Sequence, residues 1–358
     1  MRDFVRVATA CPKGRVADPE YNLEQMMILA KKAEEENVSL LVYPELCLTS
    51  YTAMDLVYQQ SLLKAGEKAL ISFCEKTKAM DTLFVIGYGY LLEGKLFNTA
   101  VIVYHGDILG IVPKQFIPNH AEFYERRYFQ EGKEEVRFIP NILKGEGYRE
   151  EIPFGASLHF VWKEDPRFRL AVEICEDLWV PIPPSSKHAI AGATILANCS
   201  ASDELVGKRG SRRRLLEHYS GNLHASYLYS SAGPSESTQD MVFSAHCLIS
   251  EKHAVTDCTV GNALSYQFLF LFHAKTSVLG TGSKNHCFSF VALILSLYFL
   301  ELSLVFNSLN LLKSKLCSQI FCLIIKIGSK LKTGNLLDGR IVFNFRSVDN
   351  LSAVRRLL

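Results

Sequence analysis

Apolar and polar positions alternate in two distinct rhythms over the first 250 residues. Leu23, Met26, Met27, Ala30 and Ala33 recur at helical spacing. Asn22 with Gln25 has the form of a capping box, so a helix is expected to start there, with Asn37 as its stop. Residues 40–42 read as a buried strand closed by Pro44. Further strands are expected at 82–86, 99–104, 170–174, 194–197 and 227–231. His105-Gly106-Asp107 forms a turn that would join 99–104 to 108–112 as a hairpin. Strands mixed with amphipathic helices predict an α/β fold, or a layered α+β one.

After residue 250 this patterning stops. Residues 288–306 are almost wholly apolar, with one charge at Glu301, and match a membrane span in length. The abrupt loss of turn chemistry argues against an anchor. It favours an appendage, or sequence from outside the original gene. The expected organisation is a domain over 1–250 and an atypical apolar tail over 251–358.

Composition adds limits. The chain has 358 residues, 48% hydrophobic and 21% charged, with a formal net charge of +2. That suffices for a large core and gives no footprint for a nucleic-acid partner. The one basic cluster, Lys208, Arg209, Arg212, Arg213 and Arg214, reads as a solvated loop and helix start. Ten cysteines are scattered without a Cys-x-x-Cys pair, so no metal site is expected. The N-terminus shows no secretory pattern, which points to the cytoplasm and to buried, reduced thiols.

Three segments share one design, an apolar run that ends in a reactive side chain. They are LLVYPE, ending at Glu45; ILGIVPK, ending at Lys114; and LAVEICED, carrying Cys175. Strand ends are where a sheet presents catalytic groups rigidly. Singly, each residue reads as a turn glutamate, a surface lysine or a core cysteine. Together, Glu, Lys and Cys in this order resemble the triad of the nitrilase superfamily.

The likeness extends to whole segments. VRVATACPKGRVADPEYN, LVYPELCLTSY, PKQFIPNHAEFYERRYF, VEICEDLW, NCSASDELVGK and SSAGPSESTQDMVFSAH resemble the amidohydrolase domain of glutamine-dependent NAD synthetases. The resemblance covers about residues 1–250 and implies a four-layer α-β-β-α sandwich. It implies L-glutamine as substrate, Cys175 as nucleophile and Glu45 as general base. Lys114, with the backbone N–H of Glu176, would hold the oxyanion, and the lysine's positive charge would also favour the thiolate. Ser202 and Lys208 fall on the family's substrate contacts. His120 stands where the family commonly has tyrosine. Glu122 or Glu125 would be a second acid, and the sequence does not choose between them.

The hydrolytic step needs no cofactor on this reading. ATP and Mg would serve only a synthetase domain, whose Ser-Gly-Gly-x-Asp-Ser type loop is not found in this sequence. Ammonia would then pass to a synthetase domain or subunit. The resemblance also implies a homo-oligomer. Two alternatives stand beside it: a free-standing amidase acting on another small amide, and a membrane-attached or inactive interaction remnant.

Overall fold

The computed structural model describes residues 4–252, 254–258 and 263–270. The tail segment 288–306 lies outside them. Seven strands are laid down first: β1 (Phe4–Cys11), β2 (Leu40–Val42), β3 (Leu83–Leu92), β4 (Lys95–Tyr104), β5 (Asp107–Pro113), β6 (Arg137–Pro140) and β7 (Glu151–Phe154). Six more follow: β8 (His159–Val161), β9 (Arg169–Ile174), β10 (Ile195–Ser200), β11 (Ser226–Ser231), β12 (Cys247–Glu251) and β13 (Ala254–Cys258). The last strand, β14 (Ala263–Phe270), returns to the first sheet beside β1. The sheets run β14-β1-β2-β3-β4-β5-β7-β6 and β13-β12-β11-β10-β9-β8. Pairing therefore continues past residue 250 in both sheets, and β14 covers the β1 edge.

Strand alternation explains the layers. In β2, Leu40 and Val42 face the second sheet, where Val172, Ile174, Ala197 and Leu228 meet them. Leu41 points the other way, into a core shared with Met26 and Ala30 of α1 (Pro19–Glu35) and Leu70 and Phe73 of α2 (Gln60–Lys76). On the far side, Ala171, Leu196 and Tyr227 pack against Leu216 of α4 (Lys208–Leu223); α3 (Pro184–Ile190) lies earlier in the chain. The result is the expected α-β-β-α sandwich, with the central strands β2, β9, β10 and β11 buried on both faces.

Residues 40–42 match in full and most other strands lie close to their expected bounds, but β3 and β4 form a longer ribbon, running on to Leu92 and starting back at Lys95. The hairpin turn is closed by His105 and Gly106 at φ 50° and 73°, the left-handed pair that a two-residue turn requires. Asn37 also adopts positive φ (55°), just past the end of α1.

The start of α1 needs correction. Asp18 is the cap, its carboxylate accepting the Tyr21 N–H at 3.1 Å, and Pro19 opens the helix. Asn22 sits inside the helix instead. Its side chain accepts the Arg15 N–H at 2.7 Å and donates to the carbonyls of Arg15 and Leu48 at 2.9 and 3.0 Å.

Among the described residues, no helix is long and apolar enough to cross a membrane.

Candidate active site

Glu45 leaves the end of β2 through Pro44 and is wholly buried. Its backbone can lie there because β3 carries glycine at position 87. A Cβ on Gly87 would come within 2.2 Å of the Pro44 carbonyl and 2.6 Å of the Glu45 Cα. Gly87→Ala must therefore displace the glutamate, at a cost of about 1–3 kcal/mol. A thermal melt should show that loss, together with lower activity at saturating substrate.

Both oxygens of Glu45 are held. Oε1 accepts from Asn98 Nδ2 at 2.6 Å and from Lys114 Nζ at 2.7 Å. Oε2 accepts the Ala201 N–H at 2.9 Å. Lys114 follows the end of β5, its own N–H donating to the Asn98 carbonyl at 2.8 Å. The ammonium also reaches Glu125, at 2.7 Å to Oε1 and 2.9 Å to Oε2. Glu125 opens a short 3₁₀ turn and accepts the Tyr51 hydroxyl at 2.9 Å.

The two acids that the sequence left open differ in their surroundings. Glu125 is buried against Lys114, whereas Glu122 is only half-buried. One cation lies between two carboxylates in a dry interior. Burial opposes the lysine charge, but Glu125 and Glu45 outweigh it and hold Lys114 well above the usual lysine range. Burial pushes Glu125 up to about 7, against the pull of the same ammonium.

Cys175 follows β9 and begins a 3₁₀ turn, Cys175–Leu178. It is 6% exposed and adopts φ 43°, a left-handed backbone that costs a non-glycine residue energy. Its N–H donates to Asn198 Oδ1 at 3.0 Å. Asp177 braces the turn from below. It accepts the Ile174 N–H at 3.0 Å and, across the sheets, those of Gln115 and Phe116 at 3.1 and 2.8 Å. The Cys175 turn and the Lys114 strand end are therefore tied through one carboxylate.

The surroundings of Cys175 oppose the pull of Lys114 toward the thiolate. Burial lifts the Cys175 thiol, the Glu45 charge lifts it further, and Lys114 only partly offsets them. These surroundings favour the thiol form over the thiolate.

Around this centre the substrate candidates separate into two kinds. Ser202 is buried, and its Oγ accepts from Arg212 Nη2 at 3.2 Å. Lys208 pairs with Asp203, and its ammonium lies 5.8 Å from the ring centroids of both Phe123 and Trp179. His120 is exposed, edge-on to Phe123 at 6.0 Å. Burial lifts the half-buried Glu176 carboxyl, while the charges of Lys114, His120 and Lys208 pull against it, so these groups share one electrostatic neighbourhood. Arg212 departs from the reading of a solvated basic cluster. It is fully buried at α4, bonded to Ser202, the Asp203 carbonyl, Glu204 and His246.

Sequence reasoning missed Asn98, Asp177, Asn198 and Arg212. Asp177 carried the only local signal, two residues past the cysteine at a turn position that favours carboxylates. Among the described residues, no group of three or more His, Cys, Asp or Glu side chains could hold a metal ion.

Comparison with known proteins gives a consistent picture. The family model described as carbon-nitrogen hydrolase matches residues 5–219. The glutamine-dependent NAD(+) synthetase of Mycobacterium tuberculosis (strain ATCC 25618 / H37Rv) is 37% identical over 252 residues, 70% of this chain and 36% of that protein. The protein of the same name from Thermotoga maritima is 31% identical over 227 residues, 63% of this chain and 35% of its own length. This chain thus spans about a third of the curated relatives that it matches.

Among solved structures, a glutamine-dependent NAD(+) synthetase from Cytophaga hutchinsonii superposes with TM-score 0.64 at 23% identity, over 74% of this chain and 43% of that one. An amidase from Nesterenkonia sp. superposes with TM-score 0.58 at 17% identity, over 78% and 95%. At those identities the likeness is one of fold.

Proposed function

Because the chain belongs to the carbon-nitrogen hydrolase family, we propose that its first 270 residues form a glutamine amidohydrolase that works through a Cys175 thioester. The observation that carries the proposal is the buried Glu45–Lys114–Glu125 cluster beside a strained, shielded cysteine.

The proton accounting follows from the charges. Cys175 Sγ attacks the side-chain amide carbon while Glu45 takes the thiol proton. Negative charge then gathers on the former carbonyl oxygen. Lys114 and the N–H of Glu176 are the donors for it, and one such donor is worth about 3–4 kcal/mol. Glu45 returns the proton to the amide nitrogen as the C–N bond breaks, and ammonia leaves. The γ-glutamyl thioester remains. Glu45 next takes a proton from water, hydroxide attacks the thioester, and glutamate departs as the thiol is restored.

Glutamine is supported by the relatives' names and by the mouth of the site. Lys208 and Glu176 carry the opposite charges that an α-carboxylate and an α-ammonium require, with Ser202 and His120 as further polar contacts. A substrate panel tests this. Glutamine should exceed asparagine, acetamide and propionamide in kcat/KM by more than about tenfold. Equal turnover of the simple amides would replace this reading with a free-standing amidase.

The carboxylate pair also sets a pH response. Glu125 titrates near 7, so protonation of the cluster as pH falls through that value withdraws a base. The acid limb of kcat/KM should therefore lie near neutrality. Glu125→Gln removes a negative neighbour, which lowers the cluster's remaining proton affinity. Its acid limb should move to lower pH. An unmoved limb in a pH-rate profile would remove Glu125 from the cluster's titration.

The ammonia has a further use in the same proposal. A synthetase domain or subunit, using ATP and Mg, would amidate deamido-NAD with it. A reducing, cytoplasmic compartment is proposed, supported by the six buried free cysteines among the described residues. Self-association is proposed on the resemblance and is measurable by sedimentation.

A further inference from the structure

A buried hydrogen-bond chain runs behind the nucleophile, and the reaction as derived above does not use it. It crosses three neighbouring strands: β9 carries Glu173, β10 carries Asn198 and β11 carries Tyr227. All three side chains are buried. The Tyr227 hydroxyl donates to Glu173 Oε1. Glu173 Oε2 is engaged separately, accepting the Ser185 N–H at 2.7 Å. With its proton committed to Glu173, the Tyr227 oxygen can only accept, and it accepts from Asn198 Nδ2 at 3.2 Å.

That last bond gives the chain a direction. An amide side chain has a donor end and an acceptor end. Once its NH₂ is claimed by Tyr227, its oxygen must face the other way. Asn198 Oδ1 there accepts the Cys175 N–H at 3.0 Å and the Ser200 hydroxyl at 2.8 Å. The Cys175 N–H is the backbone group whose placement accompanies the left-handed turn, at φ 43°. A reversed amide would set NH₂ against N–H, two donors face to face, and the turn would lose its anchor.

We infer that Asn198 is a positioning residue for Cys175, and that Tyr227, itself oriented by Glu173, keeps its amide in the working orientation. This rests on the reading of Cys175 as the nucleophile. The chain touches no reacting atom. It acts by holding the backbone on which the thiol and the following N–H of Glu176 are both mounted.

The test is a double-mutant cycle in the full chain, using Tyr227→Phe, Asn198→Leu and the pair together. Tyr227→Phe keeps the ring and its packing and removes only the hydroxyl. Its kcat for glutamine should fall about tenfold with KM within about twofold, as expected when a reacting group is misplaced. Alkylation of Cys175 by iodoacetamide, followed by peptide mass spectrometry, needs no glutamine and should slow by a similar factor. If Tyr227 works through Asn198, the double variant is no slower than Asn198→Leu alone.

Additive losses overturn the inference. So does a Tyr227→Phe variant whose kcat and alkylation rate both match the parent, and this variant decides alone if Asn198→Leu does not accumulate as folded protein. The two readings can fail separately. Slowed alkylation in a chain that never releases ammonia from glutamine keeps the positioning role and removes the glutaminase. An inactive Cys175→Ala beside a fully active Tyr227→Phe does the reverse.

Discussion

Cys175→Ala should leave a folded protein that releases no measurable ammonia from glutamine. Loss of a nucleophile in a unit of cooperating groups costs a factor on the order of 10,000 or more. The structural cost is small by comparison. Cys175 is buried, so deleting its sulfur leaves a minor void worth about 1 kcal/mol. Its backbone N–H, which donates to Asn198 Oδ1, is present in alanine as well, so that bond survives the change. Alanine and cysteine meet the same strain at φ 43°, so the turn gains no new penalty. Ammonia release and circular dichroism on one preparation separate the two effects. Residual turnover above about a hundredth of the parent would assign the chemistry to another residue.

Lys114→Met should damage both chemistry and stability. It removes the proposed oxyanion donor, a loss of about a hundredfold to a thousandfold in kcat. It also leaves Glu45 and Glu125 buried with no cation between them; both bond the same Asn98 amide, at 2.6 and 3.3 Å. Breaking a buried ion pair by deleting one partner costs about 3–5 kcal/mol.

The remaining carboxylates can relieve the repulsion only by binding a proton. One of them then has a folded-state affinity raised above that of the unfolded chain. Such a group contributes stability below the ordinary carboxyl range, and that contribution is lost as pH rises through the raised value. The variant's deficit in urea unfolding should therefore be larger at pH 8 than at pH 5. An equal deficit at both would mean that Lys114 does not neutralise the pair.

Local pattern carried the scaffold a long way. Strand residues 40–42 and the turn at His105-Gly106 are fixed by neighbours in sequence, so periodicity and turn chemistry expose them. The strand ends at Glu45, Lys114 and Cys175 are legible for the same reason. The groups that hold them are not. Asn98 reaches Glu45 from 53 residues away, and Asp177 reaches Gln115 from 62. Each reads locally as an ordinary polar residue, and only the stacking of the two sheets gives it a partner.

Arg212 shows the same limit. Its neighbours in sequence are basic and suggest a solvated face, yet helix geometry turns this one arginine inward to Ser202 and His246. The start of α1 was misread for a different reason. Two plausible caps lie four residues apart, and Asp18 prevails because Pro19 suits the first helical position. The pull of Lys114 on the thiol is legible from charge alone, whereas the burial that opposes it comes from the stacked sheets.

The central claim is a covalent γ-glutamyl thioester on Cys175, and it is tested most directly by quenching the full chain in acid during turnover of glutamine. Peptide mass spectrometry should find the γ-glutamyl group on the peptide containing Cys175, and on no other cysteine. Steady ammonia release with Cys175 unmodified, or with the adduct on a different residue, would contradict it.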